Sequence, residues 1–206
     1  MLHPQIAISD VPPGFADPVH DTQRAFRTLL DTLSRPGTIG HLDPVRPESP
    51  APLRSRVAPA AFASLLALCD DSTPVFLGEA DAVLASAVRF HTGAPIAGEP
   101  HDARFAYLHD PDALPPLERF ACGMPDAPEQ SVTLFIRVES LMGGAAVLLR
   151  GPGIEQARTI APEGLPPRFW QERAALAPLF PCGIDCYLVC GRQLVGLPRT
   201  TLVEVC

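Results

Sequence analysis

The 206-residue sequence contains no lysine; all sixteen of its cationic side chains are arginine. Two chemistries fall away at once. A Schiff-base mechanism needs a lysine amine, and a P-loop needs a lysine on the terminal phosphates of its nucleotide. This chain alone carries neither. A run of 18 or more apolar residues is also missing, so no segment reads as a membrane span. Met1 to Asp10 hold no basic cluster and no apolar stretch of signal-peptide length, and a cytoplasmic protein is expected.

Other absences narrow the function further. There is no Gly-x-Ser-x-Gly elbow to anchor an α/β-hydrolase triad. The six histidines (His3, His20, His41, His91, His101 and His109) form no His-x3-His pair and no His-Glu-x2-His motif. Metal ligation therefore has no motif behind it, and each histidine reads as solvated or locally bonded. Gly151-Pro152-Gly153 looks at first like a phosphate loop. Pro152 removes a backbone donor where such a loop needs one, so a structural turn is expected. The formal charge is −7 and the arginines are scattered singly. Nucleic-acid binding needs clustered cations to release counterions, so none is expected.

What is present is apolar material and punctuation. Hydrophobic residues make up 47% of the chain, enough for one sizeable core, and the length favours a single domain over residues 1–206. Twenty-five prolines cut the sequence into short elements. A helix is predicted over about Pro18 to Ser34, where Val19, Phe26, Leu29, Leu30 and Leu33 recur at helical spacing. Asp17 suits its N-cap, Pro18 its first turn, and Pro36-Gly37 its stop. Thr38 to Leu42 reads as a short strand, and 44–59 as a proline-rich loop. Helices are predicted over about Pro59 to Cys69 and Glu79 to Phe90, with a strand at Pro74 to Leu77 between them.

Further strands are predicted at Arg104 to Leu108, Ser131 to Glu139 and Ile184 to Cys190. A short helix is expected near Leu117 to Ala121 and a longer one over about Pro167 to Leu179. Gly143-Gly144 suggests a hairpin that returns as Ala145 to Leu149, and Gly191-Arg192 a second that returns as Gln193 to Leu197. Helices alternating with strands, two strand pairs being hairpins, imply a mixed α/β sheet covered by helices.

Six cysteines occur: Cys69, Cys122, Cys182, Cys186, Cys190 and Cys206. In a cytosolic chain of this size they are not expected to form a disulfide framework. Cys182, Cys186 and Cys190 hint at a cluster site. On a strand, however, cysteines four apart lie roughly 13 Å from each other, too far for one zinc or a small cluster. They read as small buried hydrophobes.

The remaining polar candidates are arginines and their neighbours. Gln23, Arg27 and Asp31 are spaced by four on the first helix, so Arg27 and Asp31 could pair there on a solvated face. The alternative is a polar face aimed at a partner or an anion. Arg35 precedes Pro36-Gly37 and Arg199 follows Pro198. Arginine at a rigid turn suits bidentate contacts to carboxylate or phosphate, in a ligand or in a surface salt bridge.

Several short motifs, taken together in order, resemble one family. Gly14 to Arg27, followed by Ser34-Arg35-Pro36-Gly37, is similar to the opening of the H-subunit family of the carbon–phosphorus lyase core complex. Asp21, Gln23, Phe26, Arg27, Pro36 and Gly37 stand at that opening's motif positions. Leu68 to Pro74, Pro128-Glu129 leading into Thr133-Leu134, Gly151-Pro152-Gly153-Ile154, and Phe180-Pro181 through Gly183-Ile184-Asp185 to Leu197-Pro198-Arg199-Thr200 follow in the family's order. Residues from about 80 to 128 add little.

The resemblance implies a three-layer α/β/α sandwich with a mixed sheet, related to pyridoxal-phosphate-dependent transferases but without the cofactor. The missing lysine fits this independently, because no internal aldimine can form. It implies a homodimer that joins the G, I and J subunits. With the G and I subunits and an ATPase-like L protein, the complex would transfer a phosphonate to C1 of the ribose of ATP and displace adenine. The I subunit would host that transfer, and the J subunit the later radical cleavage at an iron–sulfur cluster. The H subunit would be a structural or allosteric partner. The resemblance assigns no catalytic residue, metal or cofactor to this chain. The ligand- or partner-binding candidates are Asp21, Gln23, Arg27, Arg35, Asp185 and Arg199. The competing expectation is an independent enzyme acting on a small anionic substrate, with arginines and His20 or Asp185 at its site. A structural domain of an unrelated pathway is the third.

Overall fold

A computed structural model describes residues 11–43, 45 and 56–206. Most of the proline-rich stretch expected to be a loop at 44–59 lies outside the described residues.

Helix α1 runs Pro18–Ser34, as its spacing predicts. Asp17 caps it, its carboxylate accepting the His20 N–H, and the Arg35 N–H closes the last turn on the Asp31 carbonyl. Strand β1 is Ile39–His41, helix α2 is Pro59–Leu68 and strand β2 is Val75–Leu77. Helix α3 spans Ala82–Thr92. It begins three residues later than Glu79 because the Asp81 side chain accepts the Leu84 N–H and sets the start there. Strand β3 is Phe105–Leu108, and the helical turn expected near Leu117 is a single 3-10 turn at Leu117–Arg119.

Strands β4 (Cys122–Met124) and β5 (Ala127–Ser131) form a hairpin that the periodicity does not announce. Strand β6, Thr133–Arg137, follows directly. Strands β7 (Val147–Arg150) and β8 (Arg158–Ile160) lead to helix α4, Pro167–Ala175. The chain ends with β9 (Asp185–Cys190), β10 (Gln193–Leu197) and β11 (Leu202–Val205).

Six strands form the main sheet in the order β1-β10-β9-β6-β3-β2. Strand β10 alone runs against the other five, so the sheet is mixed, as expected. The β9–β10 hairpin turns at Gly191-Arg192, as predicted. The hairpin predicted at Gly143-Gly144 does not form. Strand β6 lies between β3 and β9, and β7 joins a separate sheet of order β11-β7-β8. The reason is burial. Leu134, Phe135 and Ile136 are all buried, so β6 has two apolar faces and belongs in the sheet centre, where parallel neighbours satisfy its backbone.

Alternation along β6 divides the core. Phe135 joins Leu29, Leu65, Leu84, Tyr187 and Leu194 under α1, α2 and α3. Leu134 and Ile136 join Phe169, Trp170, Cys186, Leu188 and Leu197 on the other face, beneath α4 and the smaller sheet. Phe135 stacks on Tyr187 at 5.0 Å, and the Tyr187 hydroxyl donates to the Leu29 carbonyl at 3.0 Å. That bond fixes α1 to the sheet from within the core. Gly196 of β10 lies under the same helix. A Cβ there would meet the Thr32 carbonyl carbon and oxygen at 2.7 Å, so only glycine permits this approach.

Helix α2 is apolar nearly all round, with Ala60 to Leu65 buried, and it serves as a core helix rather than a surface one. Helix α1 differs. Ala25, Leu29 and Thr32 face inward, while Val19, Phe26 and Leu30 are 63%, 49% and 56% exposed. Its apolar residues thus divide into an inner set and an outer strip.

Candidate functional site

The carboxyl ends of parallel strands are where open α/β sheets leave crevices, because successive loops diverge there. Here β2, β3 and β6 end in line. Glu79 follows β2, His109 follows β3, and Arg137 closes β6 with Glu139 two residues on. These ends border two adjoining clefts of about 200 and 260 Å³ that share Arg56, Glu79 and His109. Arg137, Asp110, Asp112 and Glu139 line the larger.

The polar groups of this cleft are held from below. The buried Ala58 N–H donates to the Tyr107 hydroxyl at 3.0 Å. That hydroxyl lies 3.2 Å from His109 Nδ1. Burial pushes the Tyr107 hydroxyl up to about 12, so it keeps its proton and can donate it to Nδ1. The neutral imidazole then carries its own proton on Nε2. Burial, and then the Arg137 charge beside it, hold His109 below the usual histidine range, so it is neutral at pH 7.

Glu79 accepts from Arg56 at 3.0 Å through Oε2, while its Oε1 is buried without a partner among the described residues. Arg137, half-buried, makes no ion pair or hydrogen bond there either. The cleft thus offers an unpaired guanidinium, a neutral imidazole with one ring nitrogen free and an unsatisfied carboxylate oxygen. That set can hold a small polar ligand through an oxyanion and a hydroxyl.

The six residues singled out in the sequence do not gather in one place. Asp21 and Arg27 border a different cleft of about 290 Å³ along α1, with Phe15, Arg24, His41 and Asp43. Asp21 accepts from Arg24 and from the Asp17 N–H, so it acts as a helix-start anchor. Gln23 is exposed and its side chain bonds nothing among the described residues. The expected Arg27–Asp31 pair is absent. Asp31 pairs with Arg35 instead, also at i,i+4, leaving Arg27 unpaired among the described residues.

Asp185 and Arg199 meet far from that helix face. Arg199 donates Nη2 to Asp185 Oδ2 at 2.6 Å, its backbone N–H to Oδ1 at 2.7 Å and Nη1 to the Pro128 carbonyl at 2.6 Å, and it also reaches the Ser131 hydroxyl. With its donors so occupied, Arg199 joins β5, β9 and the turn after β10. Arg173, fully buried, supports the same turn by donating to the Pro198 carbonyl at 2.6 Å.

All six cysteines are unpaired. Cys186 is buried and its thiol is pushed up to about 12, which suits the hydrophobic role expected of it. Gly151-Pro152-Gly153 packs against Ser34 and Pro36, a structural turn as expected. His20 bonds locally to Asp17 at 2.7 Å, whereas His91 reaches the Pro12 carbonyl at 2.7 Å across the fold.

The family model described as bacterial phosphonate metabolism protein (PhnH) matches residues 13–204. The chain belongs to the PhnH family. One relative, the alpha-D-ribose 1-methylphosphonate 5-triphosphate synthase subunit PhnH of Rhizobium meliloti (strain 1021), is 41% identical over 93% of this chain and 94% of its own length. A second, named as a C-P lyase subunit protein, HtxG, of Stutzerimonas stutzeri, is 27% identical over 89% of this chain and 86% of its own. The PhnH match covers the Asp185–Arg199 tie, the α1 cleft and the strand-end cleft alike.

Sequence reasoning missed the strand-end residues because they are singletons. Glu79, His109 and Arg137 are separated by about thirty residues each and share no motif. The one available signal was their position, each at or just past the end of an apolar strand run.

Proposed function

We propose that this PhnH-family chain is a subunit of the carbon–phosphorus lyase core complex and supports phosphonate transfer to ribose C1 of ATP with release of adenine. Its role is structural or allosteric rather than catalytic by itself. The observation that carries this reading is the 41% identity, over nearly the full length of both chains, to a protein named as a subunit of that synthase.

The reading includes a homodimer, partnership with the G, I and J subunits, and a cytoplasmic location, with no cofactor, nucleic acid or membrane. Among the described residues, no helix is long and apolar enough to cross a membrane. The exposed strip of Val19, Phe26 and Leu30 on α1 supports a subunit role, since large side chains aligned on one helix face suit an interface. The reading also takes residues 1–206 as one domain with three-layer α/β/α architecture, akin to pyridoxal-phosphate transferases without the cofactor. Apolar clusters on both faces of the main sheet support that architecture.

Affinity capture of the tagged chain with the G, I and J subunits tests the proposal. Co-purification in fixed ratio is expected, and a monomer that retains none of the three would refute it. The second reading, an independent enzyme for a small anionic substrate, is favoured only by the strand-end cleft. Arg35 and Arg199 do not line one site: Arg35 is paired with Asp31 and Arg199 with Asp185. Turnover of phosphonates or nucleotides by the isolated chain would establish that reading.

A further inference from the structure

We propose that the cleft at the carboxyl ends of β2, β3 and β6 binds a small sugar monophosphate, with Arg137 and His109 on its oxyanion and Glu79 on a sugar hydroxyl. The position of the site rests on the geometry. The choice of a sugar over another hydroxylated oxyanion rests on the subunit role proposed above.

Three groups in one cleft lack partners of the kind their chemistry requires. Arg137 sits half-buried with a guanidinium that no carboxylate or carbonyl among the described residues engages. Five N–H donors without a protein partner at a strand end are available to a ligand's oxygens. His109 is fixed through Nδ1 by the Tyr107 hydroxyl, which leaves Nε2–H as a donor. Two neighbouring donors, one charged and one neutral, match two oxygens of a tetrahedral oxyanion.

Glu79 supplies the complementary feature. Its Oε1 is buried and accepts from nothing among the described residues, although Arg56 holds Oε2 in place. A buried carboxylate oxygen needs a donor, and a sugar hydroxyl has one to give. The ligand must therefore carry an oxyanion and a separate hydroxyl donor: ribose has no oxyanion, and the hydroxyl of inorganic phosphate sits on the oxyanion itself.

Charge limits the size of the anion. Glu79, Asp110, Asp112 and Glu139 line the larger cleft against only Arg56 and Arg137. That balance repels a triphosphate, whose extra charges would lie against the rim carboxylates, and admits a single phosphate between Arg137 and His109. The same groups bind a free sugar phosphate or the ribose phosphate of a nucleotide, and separate titrants distinguish the two.

The test is calorimetric titration of the full-length chain, alone and with its partner subunits, using ribose 5-phosphate, AMP, ATP, ribose and inorganic phosphate. Ribose 5-phosphate is expected to bind more tightly than phosphate, ribose or ATP. A comparable affinity for AMP would identify the nucleotide as the source. Arg137→Ala should weaken ribose 5-phosphate and phosphate about tenfold or more. Glu79→Gln should weaken ribose 5-phosphate without weakening phosphate, whose binding the lost negative charge can only favour. NMR of the His109 ring should show its proton affinity rising when ribose 5-phosphate is added, a response that a purely structural histidine would not give. No ribose 5-phosphate binding in either preparation, or equal affinity in wild type and Arg137→Ala, would overturn the site. Partner capture without sugar binding would refute the site alone, and sugar binding without partner capture would refute only the subunit role.

Discussion

Asp185 and Arg199 form a two-point ion pair across the start of β9 and the end of the β9–β10 hairpin, with side chains only 18% and 16% exposed. Arg199 also holds the Pro128 carbonyl and the Ser131 hydroxyl, so one guanidinium ties three segments. Four of its five N–H donors are engaged in this way, and the pair is a fold element.

Removing either partner leaves a mostly buried charge without its counterpart. Arg199→Ala should destabilise the chain by roughly 3 kcal/mol, read from the urea midpoint. Arg199→Lys should recover little, because an ammonium cannot span the carboxylate, the carbonyl and the hydroxyl at once. The Asp185→Ala, Arg199→Ala double variant should lose less than the sum of the two single losses.

Gly153 packs its α-carbon against the end of α1. Its φ is +80°, and a Cβ there would fall 2.1 Å from the Ser34 carbonyl oxygen. Gly153→Ala should therefore cost about 2 kcal/mol or more, since both the conformation and the space forbid a side chain. Gly98→Ala is the control, because nothing lies within 4 Å of a Cβ at that position. A thermal melt that finds the two variants equally stable would contradict this packing.

The lowered proton affinity of His109 has a sign that can be measured. Its first cause is burial and its second the Arg137 charge, with Glu79 and Asp110 opposing and Arg56 assisting. The unfolded chain takes up this proton more readily than the folded one. Stability from His109 is therefore complete above the ordinary histidine value of about 6.5 and is lost as pH falls from there toward the lower folded value. In Arg137→Ala the His109 titration should move upward, toward the ordinary value. NMR titration of the imidazole checks this, and a midpoint that moves downward would show that Arg137 does not act on His109.

The outer strip of α1 should matter to assembly and not to folding. Phe26→Asp and Leu30→Asp should leave the isolated chain's stability within about 0.5 kcal/mol, because both side chains are already exposed. The same variants should lower self-association in sedimentation and reduce capture of the partner subunits. Unchanged assembly would assign the strip to plain surface. Arg35→Ala, which removes only an exposed pair with Asp31, should change stability by less than about 1 kcal/mol.

Local chemistry determined part of this protein from the sequence alone. Asp17, Pro18 and Pro36-Gly37 delimit α1 because caps and breakers act on their own turn. Gly191-Arg192 sets the β9–β10 hairpin for the same reason, and the absence of lysine excludes an internal lysine aldimine in any fold. Ordered motifs also indicated the family. Only the tertiary structure decided which strands became neighbours, and so sent β7 away from β6. It also decided that Asp31 pairs with Arg35, and that Glu79, His109 and Arg137 share a cleft. Those outcomes depend on side chains brought together across long stretches of chain, and no local spacing encodes such proximity.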